Sequence, residues 1–411
     1  MKERRKLSLK DFEWFLFIAV MIVMFFSTQS YFGTANYSRI YRINTFCIIG
    51  FLLISVLANR GKLILEKKAV FSFLVVLIPY IMLFAFSIVF YFMSHRITQS
   101  NLIYYNVQPI LICLMAIVAY ISFGAKAIKG IIIAASLNYA VYIVTCVVKY
   151  GPMSLFSAGT DSEASSLLEV HELTFVFGIV VVYMIITNYF RKNSVKARWI
   201  ILLTVFSLFG FKRILVFAMI LGILLYFAIR KLKRPYVHLL IALFFIGLSI
   251  FWVYICSSWS TITNLSTRYG IDLMGRNWIY SNFYPYFEFS VSYIGAGVGY
   301  VQQLIGQISK MMFHGHTIGL HNDFLRLFIE LGFIPYIVYF LTLLPVMMMW
   351  IKRRVGINAV TAYLVLWTVT LLCIATDNLL TYPNYMLTFT ILLISAINNE
   401  PSTTRELKPV R

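Results

Sequence analysis

The feature that most constrains the fold is a series of apolar runs, each close to the length of a membrane helix. A membrane-spanning helix needs about 20 mostly apolar residues, because the hydrocarbon core of a bilayer is about 30 Å thick. The runs that meet this description lie near 12–28, 43–58, 69–92, 102–122, 131–148, 172–190, 199–211, 214–229, 237–256, 324–350, 358–375 and 380–397. They predict an all-α integral membrane protein with about twelve transmembrane helices.

Composition supports a membrane protein and argues against a nucleic-acid partner. Of the 411 residues, 61% are hydrophobic and 12% are charged, whereas a soluble domain carries about 25% charged residues. The formal net charge is +20, but the Lys and Arg residues fall largely in short clusters between apolar runs. That placement is typical of membrane proteins, and no basic face with interleaved aromatic residues stands out from it.

The basic clusters also predict an orientation. They occupy every second connection, namely the N-terminal segment, 60–68, 126–129, 191–198, 230–234 and 352–354. By the positive-inside rule these connections and both termini face the cytoplasm. We expect one polytopic domain at 1–400, followed by a cytoplasmic tail at 401–411. The first apolar run lacks a convincing signal-peptidase site, so it is expected to remain as an uncleaved span.

The long connection at 257–322 is expected outside the cytoplasm, and it ends in the histidine that is the first candidate for catalysis. His321 precedes the apolar run at 324–350, and histidine is the side chain most easily tuned to exchange a proton near neutral pH. The alternative is a histidine that only starts a helix, with Asn322 or Asp323 as the N-cap. Arg326 and Glu330, four residues apart, are expected to form a structural pair on one helix face.

Three cations are candidates for binding an anion. Lys212 and Arg213 separate two apolar runs on the side where the positive-inside rule disfavours cations, and charged groups at membrane depth need a partner. Arg276 follows Gly275 in the long connection, and a guanidinium matches a phosphate in a two-point contact. The alternatives are a turn with snorkelling side chains and an aromatic segment in the membrane interface.

Neither a metal nor a cofactor is expected. His314, His316 and His321 lie close together in sequence, but no Cys and no second histidine cluster lies near them, and zinc sites normally draw on more ligands with second-shell support. The five cysteines lie within or beside apolar runs without metal-ligand spacing, so they are expected to be small buried apolar residues. The glycines at 295, 297 and 299 allow a backbone to approach a ligand, or they form an ordinary turn.

Four further polar residues are candidates for substrate binding, and three of them, Asn322, Asp377 and His171, have a simpler explanation as helix caps. The four are Arg268 and Asn322 in the long connection, Asp377 after the eleventh run, and His171 before the sixth. A short polar side chain or a carboxylate at a helix start is commonly a cap. The sequence does not decide between the two roles.

The order of these motifs resembles the bacterial polysaccharide polymerase and O-antigen ligase family, which includes the Wzy-type repeat-unit polymerases. The resemblance covers roughly the second half of the chain. It rests on Phe211-Lys212-Arg213-Ile214, Gly275-Arg276-Asn277-Trp278, Gly295-Ala296-Gly297-Val298-Gly299, and His321-Asn322-Asp323-Phe324-Leu325 through Glu330-Leu331-Gly332. One departure is Lys212, since the family often has Ser before the arginine. The segments around His171 and Asp377 resemble the capsule and exopolysaccharide polymerase branch more than the ligases.

The resemblance implies a metal-independent glycosyltransferase in the bacterial plasma membrane. It implies polymerisation of undecaprenyl-diphosphate-linked repeat units at the outer face, with inversion at the anomeric carbon. Arg213 and Arg276, with Lys212, would bind the diphosphate, and His321 would be the general base. Membrane lipid and a chain-length regulator are further candidate partners.

Two other functions stay open. A glycan ligase would use the same donor but pass the polymer to a lipid or cell-wall acceptor. A lipid-linked oligosaccharide flippase would carry the substrate without chemistry, although transporters often show internal repeats and ionisable residues along their helices near the membrane midplane. Here the candidate residues gather towards one side and in one connection, which favours an enzyme.

Overall fold

The protein is a bundle of helices. The computed structural model describes residues 9–27, 37–58, 67–155, 168, 170–187, 189, 193–210, 212–232, 234, 236–270, 276–312 and 319–398. The helices in these ranges are α1 Leu9–Ser27, α2 Tyr37–Ala58, α3 Lys67–Ser94, α4 Gln99–Phe123, α5 Lys126–Tyr150, α6 His171–Ile186, α7 Asn193–Phe209, α8 Arg213–Leu232, α9 Val237–Ser257, α10 Trp259–Tyr269, α11 Arg276–Phe283, α12 Tyr300–Met312, α13 Asp323–Leu331, α14 Phe333–Leu341, α15 Met347–Arg354, α16 Ile357–Ile374 and α17 Pro383–Asn398.

Seven helices in the described ranges are long and apolar enough to cross a membrane. They are α3 from Ala69, α4, α5, α8, α9, the stretch Phe333–Arg354 and α16. Three shorter apolar helices are Arg42–Ala58, Glu172–Ile186 and Pro383–Asn398. The described helices therefore support a multi-pass all-α membrane protein, while the number twelve stays a prediction.

Each predicted span corresponds to a helix, but the one at 324–350 is broken. α13 ends at Leu331, and Gly332 takes a φ of 75° before α14 begins. The backbone N–H of Phe333 donates to the carbonyl of Tyr293 at 3.1 Å, which ties the break to the long connection. A side chain at Gly332 would meet backbone atoms of Tyr293 and Gly295 at 2.5 Å. The break therefore depends on glycine, for its conformation and for the close approach.

The long connection at 257–322 contains helices rather than only loop. α10, α11 and α12 lie within its described residues. Its glycine turn is fixed by α13, because Glu330 Oε1 accepts hydrogen bonds from the backbone N–H groups of Gly299 at 2.8 Å and Val301 at 3.3 Å. The Gly297 N–H donates to the Glu330 carbonyl at 2.8 Å. These amides serve the carboxylate and carbonyl of the chain's own glutamate, so they do not form a cradle for an external anion.

The middle of the bundle is formed by α16 and α17. α16 packs against α8, α9, α6 and α17, and α17 packs against α4, α6 and α3. Every residue of α17 from Pro383 to Ile397 is buried. The connection between these two helices, residues 375–382, is therefore surrounded by other elements, and its polar side chains must find partners within the protein.

Candidate functional site

His321 has a backbone conformation that is uncommon for any residue with a side chain. Its φ is 50°, in the left-handed region that a non-glycine residue seldom enters. The next residue holds the chain in place: the N–H of Asn322 donates to Asn378 Oδ1 at 3.3 Å, and its Oδ1 accepts from the N–H of Leu325 at 3.0 Å. Asn322 is thus the N-cap of α13. Unusual conformations of this kind cluster at functional sites.

Asp377 lies beside His321 and is the centre of the polar contacts. Its Oδ1 accepts hydrogen bonds from the Tyr382 hydroxyl at 2.6 Å and the Asn378 N–H at 2.8 Å. His321 Nδ1 is 3.8 Å from the same oxygen, and Lys212 Nζ is 3.4 Å from Oδ2. The Asp377 side chain is 3% exposed, whereas that of His321 is 35% exposed. One buried carboxylate therefore lies between a lysine and the partly accessible imidazole.

Arg276 reaches the same connection from α11. Its Nη2 donates to the carbonyl of Thr376, the residue before Asp377, at 3.1 Å. Its Nε is buried and has no hydrogen-bond partner among the described residues. A buried guanidinium N–H without a partner is costly, so an acceptor that reached it would relieve that cost.

The cluster forms because several helix ends meet at the connection between α16 and α17. Lys212 precedes α8, Arg276 begins α11, and His321 precedes α13. α8 packs along α16, which brings Lys212 to the carboxyl end of α16. Three of the residues that the sequence singled out, Lys212, Arg276 and His321, are thereby joined to residues 376 and 377 by direct contacts.

The structure does not join the other candidate residues to the cluster in the same way. Arg213 is exposed at the start of α8 and has no hydrogen bond or ion pair with any described residue. Arg268 is exposed in the last turn of α10, with its guanidinium 5.7 Å from the Tyr269 ring centre. His171 is the first residue of α6, but its side chain lies outside the described part of the chain.

The Asn322 side chain is hydrogen-bonded to residues of α9 and α11. Its Nδ2 donates to Cys256 Sγ and to the Tyr280 hydroxyl, both at 3.3 Å. Burial raises the pKa of Tyr280, so the phenol stays neutral. The amide and carbonyl groups of the Asn322 side chain are thus occupied by the chain itself. The observed contacts of Asn322 are therefore structural, and its role in substrate binding stays a prediction.

Two residues of the cluster were not among the candidates from the sequence. Tyr382 donates to Asp377, and Asn378 accepts from the residue after His321. Their only signal in the sequence is closeness to Asp377, in the segment Thr376-Asp377-Asn378 followed by Tyr382. That signal indicates a polar helix connection but not the partner that the connection meets.

Tyr382 also lines a cavity of about 80 Å³ between α3, α4, α13 and α17. Its walls are mostly apolar, and its charged lining residues are Arg326 and Glu330. Lys212, Arg276 and His321 do not line it. Because none of these three residues lines the cavity, we place the candidate site at the cluster and not in this cavity.

The cluster is suited to holding an anion beside a base. It combines two cationic side chains with an imidazole that is open to solvent on one side. Among the described residues, no group of three or more His, Cys, Asp or Glu side chains could hold a metal ion. His314 and His316 lie outside the described residues.

Comparisons with known proteins add no assignment. No protein-family model matches this chain, and no curated protein matches it. The geometry of the site and the order of its motifs are therefore the basis for a functional proposal.

Proposed function

We propose that this protein polymerises undecaprenyl-diphosphate-linked oligosaccharide repeat units into a capsular, exo- or O-antigen polysaccharide. The reaction would take place at the outer face of the bacterial plasma membrane. The lipid of the donor would lie in the bilayer, and its diphosphate would lie at the end of the bundle where the cluster forms.

The observation that carries the proposal is the approach of Lys212, Arg276 and His321 to one short connection. Lys212 contacts Asp377, Arg276 contacts the adjacent carbonyl, and His321 lies 3.8 Å from the same carboxylate. Glycosyl transfer from a lipid diphosphate needs cations where charge develops on the leaving group and a base beside the attacking hydroxyl. This cluster offers both. Arg213 is exposed and follows Lys212 in the chain.

In the proposed reaction, a hydroxyl oxygen of the acceptor sugar attacks the anomeric carbon of the donor. The bond from that carbon to the phosphate oxygen breaks, and the diphosphate leaves with the electron pair. His321 accepts the hydroxyl proton. Lys212, Arg213 and Arg276 stabilise the charge that develops on the diphosphate. A single displacement inverts the anomeric centre.

The first prediction concerns the two central side chains. His321→Ala and Arg276→Ala should each abolish long-chain polymer in a deletion strain complemented with the variant, because one removes the base and the other a phosphate contact. Polymer length is measured on gels, and membrane abundance of each variant by immunoblot.

Matched controls come from the chain itself. His95→Ala removes another histidine with positive φ, and Arg353→Ala removes an exposed arginine of α15, outside the cluster. Both should leave polymer length unchanged. Normal polymer in the His321 and Arg276 variants would refute the assignment of the site.

The deletion strain also separates polymerase from ligase. Loss of a polymerase leaves single repeat units, whereas loss of a ligase leaves long polymer on its lipid carrier. Elongation of a lipid-linked repeat unit by the purified protein in detergent would exclude a flippase.

A further inference from the structure

The distance between His321 and Asp377 is too long for a hydrogen bond. Nδ1 and Oδ1 are 3.8 Å apart, whereas such bonds measure about 2.7–3.2 Å. The Asp377 carboxylate has other partners. Its Oδ1 accepts hydrogen bonds from the Tyr382 hydroxyl and the Asn378 N–H, and its Oδ2 lies near the Lys212 ammonium. Aspartate and imidazole are therefore adjacent without being engaged.

Lys212 is the member of this group that reaches Asp377 from a different element. Asn378 and Tyr382 belong to the same connection as Asp377, while Lys212 comes from the start of α8 on a flexible side chain. Its Nζ is 3.4 Å from Asp377 Oδ2 and 6.0 Å from the centre of the Phe175 ring. A lysine carries its charge as a compact ammonium on four rotatable carbons, so it can exchange one anionic partner for another nearby.

We propose that Lys212 couples binding of the diphosphate to the positioning of His321. When the anion binds, the ammonium moves from Asp377 to a phosphate oxygen, and Asp377 accepts a hydrogen bond from His321 Nδ1. The proton is then fixed on Nδ1, and Nε2 is free to accept the proton of the acceptor hydroxyl. Asp377 is thus a positioning residue for His321, and Lys212 controls it.

The physical reason is the cost of a buried carboxylate without a cation. Asp377 is 3% exposed, and a buried charge that loses a partner must find another donor. Among the described residues, other charged groups in direct contact with this connection are Arg276, which already donates to the Thr376 carbonyl, and Asp323, which accepts from the Leu380 N–H. Among the described neighbours of Asp377, the His321 imidazole is a group that can turn an N–H donor towards the carboxylate. The hydrogen bond at one ring nitrogen decides which tautomer is present.

The inference rests on the proposed function only for the identity of the anion, so it can be tested without glycosyl transfer. The probe is inorganic pyrophosphate, added to purified full-length protein with ¹⁵N-labelled histidine in detergent. The His321 resonances are identified by their loss in His321→Gln. In the wild type, pyrophosphate should shift the Nδ1 signal towards that of a protonated, hydrogen-bonded nitrogen.

Variants separate the coupling from a direct effect of the anion. Lys212→Met should show the shifted Nδ1 signal before pyrophosphate is added and little change after it. Lys212→Arg should retain the response, and Lys352→Met, an exposed lysine at the end of α15, should behave as wild type. Asp377→Asn should remove the response. If that variant does not fold, the comparison of the two lysines decides the question.

The coupling is overturned if pyrophosphate leaves the His321 signals unchanged in the wild type, or if it shifts them equally in wild type and Lys212→Met. Its failure differs from failure of the proposed function. A shifted Nδ1 signal together with normal polymer in His321→Ala would retain the coupling and reject the polymerase mechanism. Lost polymer with no change in the spectra would do the reverse.

Discussion

Arg326 lies between two carboxylates that the fold has removed from solvent. Its Nε is 2.6 Å from Asp323 Oδ1, and its Nη1 is 3.3 Å from Glu330 Oε2. Asp323 also accepts from the Leu380 N–H at 2.7 Å. Burial raises the pKa of Asp323 although the guanidinium opposes the shift. The expected pair of Arg326 and Glu330 is present, and it belongs to a larger network joining α13 to the connection before α17.

Replacing Arg326 with Met should destabilise the protein strongly. The change leaves two buried carboxylates without their cation, and removal of one partner from a buried ion pair costs about 3–5 kcal/mol. The free energy of unfolding in detergent measures the loss. Arg353→Met, at an exposed position of α15, is the control and should change it by less than about 0.5 kcal/mol. Equal stability of the two variants would show that the network does not stabilise the fold.

At the scale of elements, α13 connects the site to the glycine turn. Its first residues follow His321, and Glu330 near its last turn holds the N–H groups of Gly299 and Val301. A helix of nine residues rises about 13 Å. The break at Gly332 separates this short helix from α14.

Gly332→Ala should therefore disturb the fold far more than an ordinary helix substitution. Alanine would be forced into a left-handed conformation and would meet backbone atoms that cannot yield, and strain of this kind costs about 1–3 kcal/mol. The thermal unfolding midpoint is expected to fall.

Gly306 in α12 is the matched control for Gly332. No atom lies within 4 Å of its added Cβ, and alanine in a helix interior is favoured over glycine by about 0.5–1 kcal/mol. Gly306→Ala should leave the unfolding midpoint unchanged or raise it. A midpoint for Gly332→Ala as high as that of Gly306→Ala would contradict the argument that the break requires glycine.

At the scale of the whole molecule, the orientation predicted from the basic clusters can be tested by accessibility. Ser292→Cys and Lys352→Cys each place a thiol at an exposed position, in the long connection and in the last turn of α15 respectively. A membrane-impermeant maleimide should label Ser292→Cys in intact cells, and Lys352→Cys only after permeabilisation. The wild type supplies the background, because Cys113, Cys146, Cys256 and Cys373 are buried and Cys47 is partly exposed.

The opposite labelling pattern would place the cluster on the cytoplasmic side. This result would contradict the proposed reaction at the outer face, because the donor diphosphate would lie at the other surface of the bilayer. It would not alter the contacts of His321 with Asp377, which depend on packing and not on orientation.

Much of the architecture could be predicted from the sequence because membrane helices are a local property. An apolar run of sufficient length must satisfy its backbone hydrogen bonds internally, so it forms a helix wherever it occurs. This is why each predicted span has a corresponding helix. The break within 324–350 could not be predicted from the local sequence, because Gly332 alone does not show that residues 293–295 will approach its backbone.

For the candidate site, too, some features could be predicted from the sequence and others depended on tertiary structure. Residue type and motif order were enough to single out His321, Arg276 and Lys212, since few groups in an apolar chain can bind an anion or move a proton. The partners were decided by tertiary structure: Arg276 and Thr376 are 100 residues apart, and Lys212 meets Asp377 only because α8 packs along α16. The sequence determined which side chains could bind an anion or transfer a proton. The packing of helices that are far apart in the chain decided that Asp377 would lie between Lys212 and His321.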